Sequence, residues 1–563
     1  MKAPLPEPPA LSLRDHCEVT RTPNASSPSR RSFIGTAAWA AGAVSLSPLL
    51  GSADTRAEAI TTIGRGRVFE AFEIRKNAAL AEFNSPAVSH PNNGDERQFR
   101  NKIGNYSKAL PHNSLGEVDL NAYQGYLDAI RSGRPSDFEN ITLGGNTKLT
   151  DPQAGLAFTL EGADSGNLFE PPSPSVASQE RADEAVENYW MALVRDIAFT
   201  DYATDPQVAQ ACSELSGLSA FSGPRISGKV TPQTLFRGFT AGDIVGPYVS
   251  QFLLQPVSFG ALPIVQQYTT YQPGLDYMTD FPSWLAVQNG QGPFGSNLPD
   301  SQVRYLRDGR GAGAWVHVDV LYQAYFMAML WLVKSAGFNA GNPYINSRTQ
   351  VGFGTFGAPH INALMTEVSG YALRAQWFQK WWVHRALRPE AFGGLVHNNK
   401  TGSASYPLHS DVLNSHALAE TFAKYGTYLL PIAFPEGSPT HPSYGSGHAT
   451  VAGACVTVLK AFFDTDSAVF PEPMVPTTDG LSLEPYTGAD AGQMTLTGEL
   501  NKLASNIAQA RNIAGVHWRS DAVQAMLLGE AVAISILRDQ RGCYNETFGG
   551  FTLTKFNGQQ ITV

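Results

Sequence analysis

A chain of 563 residues, 43% hydrophobic and 16% charged, is long enough to bury a large core and has the balance of a soluble globular protein. A net charge of −9 argues against general nucleic-acid binding, which needs a basic face, and makes any local cluster of Lys and Arg stand out. Four scattered cysteines, Cys17, Cys212, Cys455 and Cys543, form no CxxC pair, which argues against a disulfide framework and against thiolate zinc chemistry.

Residues 1–29 are rich in Pro, Ser and Arg and show no periodicity. Ser29-Arg30-Arg31-Ser32-Phe33-Ile34 follows, then a mildly apolar run from Thr36 to Leu50 and the small-residue stretch Ala57-Glu58-Ala59. This order resembles a twin-arginine export signal, so residues 1–59 are expected to be a signal with a disordered N-terminal segment, on a bacterial protein exported to the periplasm or beyond. The plainer alternative is an uncleaved tail. The apolar run is too short and too rich in Gly, Ala and Ser for a stable membrane span, which takes about 20 strongly apolar residues.

From residue 60 the pattern is mainly helical. Ala182–Phe199 places Val186, Tyr189, Trp190, Leu193 and Ile197 at helical spacing. Val316–Val333 contains a ten-residue apolar stretch, Ala324–Val333, preceded by Asp319 and Gln323, and reads as one buried core helix. Tyr371–Arg385, Ala449–Phe463 and Ala522–Leu537 are further helices, with long loops at Ser222–Thr234 and Asn289–Asp300. No run of alternating strands, no βαβ rhythm and no linker interrupts residues 60–563, so the expectation is a single α-helical domain of packed bundles.

Three segments carry chemistry. The first, QKWWVHRALRPE, holds Lys380 and Arg388. On a helix these lie about 80° and about 12 Å apart, a gap two long cationic side chains can close. Arg388 precedes Pro389, which disfavours helical geometry there and places Arg388 at a helix end. A solvated basic helix is the plain alternative. The second, SPTHPSYGSGHATVAGACVTVLKAFF, puts Ser446-Gly447 just before an apolar helical run. Free N–H groups and the helix dipole make such a start an anion site, with His448 beside it and His441 seven residues earlier. The third, QARNIAGVHWRSDAV, holds Arg511, His517 and Asp521. Arg511 and His517 would sit about 240° apart on one helix, but Gly515 offers a break. Asp521, four residues after His517, can orient it, although a core or ion-pair role elsewhere is equally open. Together, one Lys, two Arg, a Ser/Gly helix start and two histidines suit an oxyanion. Three fixed positive charges would repel zinc or iron.

These residues resemble the signature of the type 2 phosphatidic acid phosphatase and vanadium haloperoxidase superfamily, and within it the vanadium bromoperoxidases of red algae and cyanobacteria. The resemblance extends to NKIGNYSKALPHNSLGEVDL, VGPYVSQFLLQP, GFGTFGAPHI, EGSPTHPSYGSGHA and FTLTKFNG, and so spans nearly the whole chain after residue 65. It implies a mainly α fold that holds vanadate, vanadium(V). His517 would be the ligand on vanadium, and Lys380, Arg388 and Arg511 would hold the equatorial oxygens. Ser446 would add a hydroxyl and Gly447 a backbone N–H. His448 would act as acid and base toward the apical oxygen and the peroxide, and Lys380 would polarise that peroxide. The implied activity is oxidation of bromide or iodide by hydrogen peroxide to a hypohalous acid that halogenates small organic acceptors. His441 matches a second histidine of the algal bromoperoxidases, whereas Trp377, three before Lys380, matches a tryptophan of fungal chloroperoxidases. Gly445 stands where the superfamily motif usually has proline, so a looser turn is expected. The resemblance also implies a homo-oligomer, up to a dodecamer, and some members carry a structural divalent cation, for which no ligands can be placed. The rival readings are a phosphatase on the same scaffold, with His517 as nucleophile and His448 as acid, and a non-catalytic oxyanion-binding protein.

Overall fold

The computed structural model describes residues 55–563, with side chains from residue 66 onward. The expected export signal, with Arg30 and Arg31, lies outside the described residues. The chain divides into two compact units, residues 1–69 and 70–563, and the site lies wholly in the second. Among the described residues the chain is mainly α, with sixteen α-helices and four two-stranded antiparallel sheets.

Helix α1 (Gln179–Leu193) starts at Ser178, whose side chain accepts the Arg181 N–H as an N-cap. It ends six residues before the expected Phe199 because Arg195 turns inward and donates to Ile513 O and Pro431 O. The single helix expected over 316–333 is two: α2 (Gly309–Val318) and α3 (Gln323–Ser335), bent by 96° at the break. Asp319 is extended there, and its carboxylate is taken up by a histidine far along the chain. Apolar content alone hides such a break.

Helix α4 (Ala358–Phe378) continues into one wider π-type turn, Gln379–His384, closed by Arg385 in left-handed geometry (φ 45°). Helix α5 (Pro389–Thr401) then begins anew, with Pro389 in its first turn and Arg388 extended before it (φ −78°, ψ 151°). Lys380 and Arg388 therefore do not share a helix, which corrects the spacing argument. They meet because the chain reverses between them.

Helix α6 (Gly447–Phe462) is the centre of the fold: every residue except His448 is buried. It packs against α4, α7 (Leu496–Ile513) and α8 (Arg519–Arg541). Gly453 and Gly529 allow α6 and α8 to approach backbone to backbone, since a Cβ at either would strike the other helix. Val451, Ala454, Leu500, Leu503, Ala525 and Leu528 fill the core around them. By length and composition α8 could cross a membrane, but two thirds of its apolar window is buried in this core.

The mainly helical expectation is supplemented by four short two-stranded antiparallel sheets: β1 (Val257–Phe259) with β2 (Leu262–Ile264), β3 (Tyr268–Tyr271) with β4 (Pro299–Arg304), β5 (Met474–Pro476) with β6 (Leu483–Pro485), and β7 (Thr552–Thr554) with β8 (Gln560–Thr562). They are three to six residues long and often contain proline, so they show little alternation. Strand β4 also takes the end of the loop expected at Asn289–Asp300. Cys212 and Cys455 are buried free thiols, and Cys543 is exposed and unpaired.

Candidate active site

Four pieces of chain converge: the π-type turn after α4, the start of α5, the segment 441–448 entering α6, and the turn 511–521 joining α7 to α8. Lys380 is fully buried and its Nζ donates to Pro442 O (2.8 Å) and Ser443 O (2.7 Å). Arg388 donates from Nε to His441 O (2.9 Å), from Nη1 to Val516 O (2.7 Å) and His517 Nε2 (3.0 Å), and from Nη2 to His441 Nδ1 (2.9 Å). Arg511, in the last turn of α7, donates to Val316 O (2.7 Å), while its buried Nε has no partner. The partners of all three cations are carbonyls and imidazoles. Among the described residues none is a carboxylate. Burial and the neighbouring Arg388 charge push the Lys380 ammonium well down. Burial holds Arg388 and Arg511 at about 10. Three buried cations without an ion-pair partner form a site for an anion, because an uncompensated buried charge costs several kcal/mol, on the order of 3–5.

Gly515 ends α7 in left-handed geometry (φ 83°), and His517 follows the break. His517 Nδ1 lies 2.7 Å from Asp521 Oδ2, and Arg388 donates to its Nε2. Both partners assign the same tautomer, with the proton on Nδ1 and the lone pair on Nε2 facing the cations. Burial first, and then the Arg388, Lys380 and Arg511 charges, hold this imidazole neutral well below its usual range. Asp521 sits at the third position of α8 and also accepts the Trp518 N–H (3.2 Å) and the Ser443 hydroxyl, while its own carbonyl accepts Ser446 N–H (3.1 Å). Helix α1 backs this turn. Asn188 donates to His517 O (3.1 Å), Glu187 pairs with Arg519, and Arg181 covers the Trp518 ring at 4.1 Å.

Ser446 caps α6 through the Ala449 N–H (3.5 Å), and Gly447 is the first helical residue. His448 is the one part-exposed member of the helix, and its Nε2 lies 3.0 Å from Asp319 Oδ1 at the break between α2 and α3. His441 is buried, and its ring centroid is 4.7 Å from that of Trp377. Burial and the Arg388 and Lys380 charges keep it neutral. Trp377 donates to Thr150 O (3.2 Å) and lies under Lys380, whose Nζ is 5.8 Å from the ring centre. The looser turn expected at Gly445 is corrected: the residue is wedged between Glu170, Gln376 and Ala525, with no room for a Cβ.

The fold thus brings Trp377, Lys380, Arg388, His441, Ser446, Gly447, His448, Arg511, His517 and Asp521 into one region. Asp319, Asn188 and Glu170 were not read as site residues from the sequence. For Asp319 the only local signal is a lone acid between Val318 and Val320. Among the described residues no group of three or more His, Cys, Asp or Glu is arranged to hold a metal ion.

Comparison with known proteins identifies the family. Residues 361–546 match the VCPO second helical-bundle domain. The chain is 35% identical over 520 residues to a vanadium-dependent bromoperoxidase of Ascophyllum nodosum, covering 87% of this chain and 91% of that one. It is 34% identical to a vanadium-dependent bromoperoxidase of Corallina pilulifera, over 89% and 99% of the two chains. The solved homohexameric structure of the second vanadate-dependent bromoperoxidase of Ascophyllum nodosum superposes with a TM-score of 0.82 at 32% identity, covering 95% of each chain. With relatives at this identity spanning nearly its whole length, and the convergent site above, the chain belongs to the vanadium-dependent bromoperoxidase family.

Proposed function

We propose that the protein is a vanadate-dependent haloperoxidase that uses hydrogen peroxide to oxidise bromide and iodide to hypohalous acid, which halogenates small organic acceptors. The observation that carries this is the trio Lys380, Arg388 and Arg511, buried without carboxylate partners around the His517 Nε2 lone pair. That donor set fits an oxyanion of a metal able to take one nitrogen ligand, and it fits a free metal cation poorly. Lys380, Arg388, Arg511, Ser446 and the Gly447 N–H would hold the oxygens, and His517 the metal. Bound vanadate supplies a Lewis-acid centre for peroxide activation.

The chain's own groups do the rest. Asp521 keeps the proton on His517 Nδ1. Lys380, held against Pro442 O and Ser443 O, would polarise peroxide with its remaining N–H. Forming one hypohalous acid and one water from peroxide and halide takes up one proton. His448, part-exposed and oriented by Asp319, is placed to hold and deliver it. His441, which matches the second histidine of the algal bromoperoxidases, supports bromide and iodide over chloride, whereas Trp377 against its ring is the feature shared with chloroperoxidases.

Residues 1–59 act as the twin-arginine export signal and 60–563 as one haloperoxidase domain of packed helices. A homo-oligomer is supported by the homohexameric relative, and a dodecamer is the larger assembly to test by light scattering. Phosphate would suit the same cations, but relatives over most of the chain are named bromoperoxidases and none of those reported is named a phosphatase.

The test is bromination of a phenol dye by apoprotein with bromide and peroxide in phosphate-free buffer, with and without orthovanadate. Activity that needs vanadate and is lost in His517→Ala supports the reading. No bromination, together with vanadate-inhibited hydrolysis of a phosphate ester, overturns it in favour of the phosphatase. Stoichiometric vanadate binding without turnover overturns it in favour of a binding protein.

A further inference from the structure

Glu170 lies on no regular element, 1% exposed, behind the turn that enters α6. Its Oε2 accepts from Gln376 Nε2 (3.0 Å), one helical turn before Lys380. Gln376 Oε1 in turn accepts the Thr450 hydroxyl (2.6 Å), which also reaches Ser446 O (2.9 Å). Glu170 Oε1 has no partner in hydrogen-bond geometry and presses on the Gly445 backbone, where a Cβ would collide with it. Gln379, adjacent to Lys380, donates to Leu168 O (2.8 Å) and staples the Glu170 segment to the same turn. One carboxyl group therefore contacts the two pieces of chain that carry Lys380 and Ser446, yet touches neither residue.

We propose that Glu170 is a positioning residue of the oxyanion cage, tying the Lys380 helix to the turn that carries Ser446 and Gly447. This rests on the cage reading above. The groups that face it are Lys380 and His384 from the π-type turn, Asp521 from α8, and Tyr444 from the segment entering α6. Burial raises its carboxyl to about 8, with the Asp521 charge adding to the rise and Gln376 and Lys380 opposing it. At neutral pH the group is therefore uncharged. That state suits its place, because Asp521 already supplies one negative charge beside the three cations, and a second would oppose an incoming oxyanion. Gly445 is the complement of this acid: the turn carries no Cβ because Glu170 occupies that space.

The experiment is titration calorimetry of orthovanadate into apoprotein, wild type against Glu170→Gln, Glu170→Leu and Thr450→Val, with each variant's melting temperature recorded. The expected result is a dissociation constant within about threefold of wild type for Glu170→Gln, and about tenfold or more weaker for Glu170→Leu, as for the loss of a group that orients metal-site ligands. Thr450→Val, which cuts the relay at its far end, should weaken binding several-fold, and it decides the matter if Glu170→Leu does not fold. Raising the pH from about 7 to about 9 should weaken wild type relative to Glu170→Gln, since vanadate's own ionisation cancels in that ratio. Wild-type affinity in folded Glu170→Leu or in Thr450→Val, an equal loss in Glu170→Gln and Glu170→Leu, or a ratio that does not change with pH would each overturn the proposal. Wild type that fails to bind vanadate would instead defeat the cage reading itself.

Discussion

Substituting Asn for Asp521 separates what the cations do from what the histidine does. Asp521 Oδ2 accepts from His517 Nδ1, the Trp518 N–H and the Ser443 hydroxyl, and the residue has no solvent exposure. Asn keeps the shape and one acceptor oxygen, and its NH2 can take the place of the unpartnered Oδ1. What is lost is the charge on the bond to His517. A hydrogen bond to a charged group is worth roughly 1.5–3 kcal/mol, so a weaker and less well oriented imidazole should cost vanadate about 10- to 100-fold in affinity, the usual range for such a partner. An opposing effect comes from removing a negative charge near Lys380 and Arg388, which strengthens the cage toward any oxyanion. Phosphate isolates that second effect, because it uses the same cations and needs no fifth ligand from His517. Calorimetric titration of apoprotein should therefore show Asp521→Asn binding vanadate about 10- to 100-fold more weakly, while phosphate binds as well as in wild type or better. If both anions weaken by the same factor, Asp521 holds the whole cage in shape and the tautomer argument is wrong.

Further outcomes follow from the same geometry. His448→Ala should lower the bromination rate by roughly 10²- to 10⁴-fold, as for loss of a proton-transfer group, with vanadate affinity within about threefold; a large loss of affinity would make His448 a cage residue instead. Asp319→Asn should lower the rate by about tenfold by freeing the His448 ring, and an unchanged rate and pH profile would remove Asp319 from the mechanism. Leu503→Ala, in the core beside α6, should destabilise the apoprotein by about 2–5 kcal/mol in urea unfolding without changing vanadate affinity in the folded protein. His112 and His384 are held by burial at about 4 and about 3, below the 6.5 of an unfolded histidine. The unfolded chain therefore takes up protons first on acidification, and stability falls from pH 6.5 downward by up to about 1.4 kcal/mol per pH unit for each residue. A urea midpoint that stays constant from pH 6.5 to about 5 would contradict that burial.

Sequence alone determined the features set by local chemistry. A residue before proline is extended, so Arg388 stands at a helix end whatever surrounds it. Ser446-Gly447 before an apolar run makes a helix start, and Gly515 makes the break that separates Arg511 from His517. Resemblance added the roles, because the cage residues fall in short motifs. The tertiary structure decided the rest, since those contacts join residues far apart in the chain. Asp319 lies in an apolar stretch that reads as one helix, and only the 96° bend toward His448, 129 residues away, gives it a task. Glu170 is 206 residues from the glutamine it bonds, with no motif around it. Lys380 and Arg388 meet through a π-type turn and a chain reversal that helical periodicity does not encode. The tautomer of His517 depends on Asp521 four residues away and on Arg388 on another segment, so it existed in the sequence only as one possibility among several. Periodicity and turn chemistry act over a few residues, whereas the charge, burial and orientation of the site are properties of groups brought together by packing.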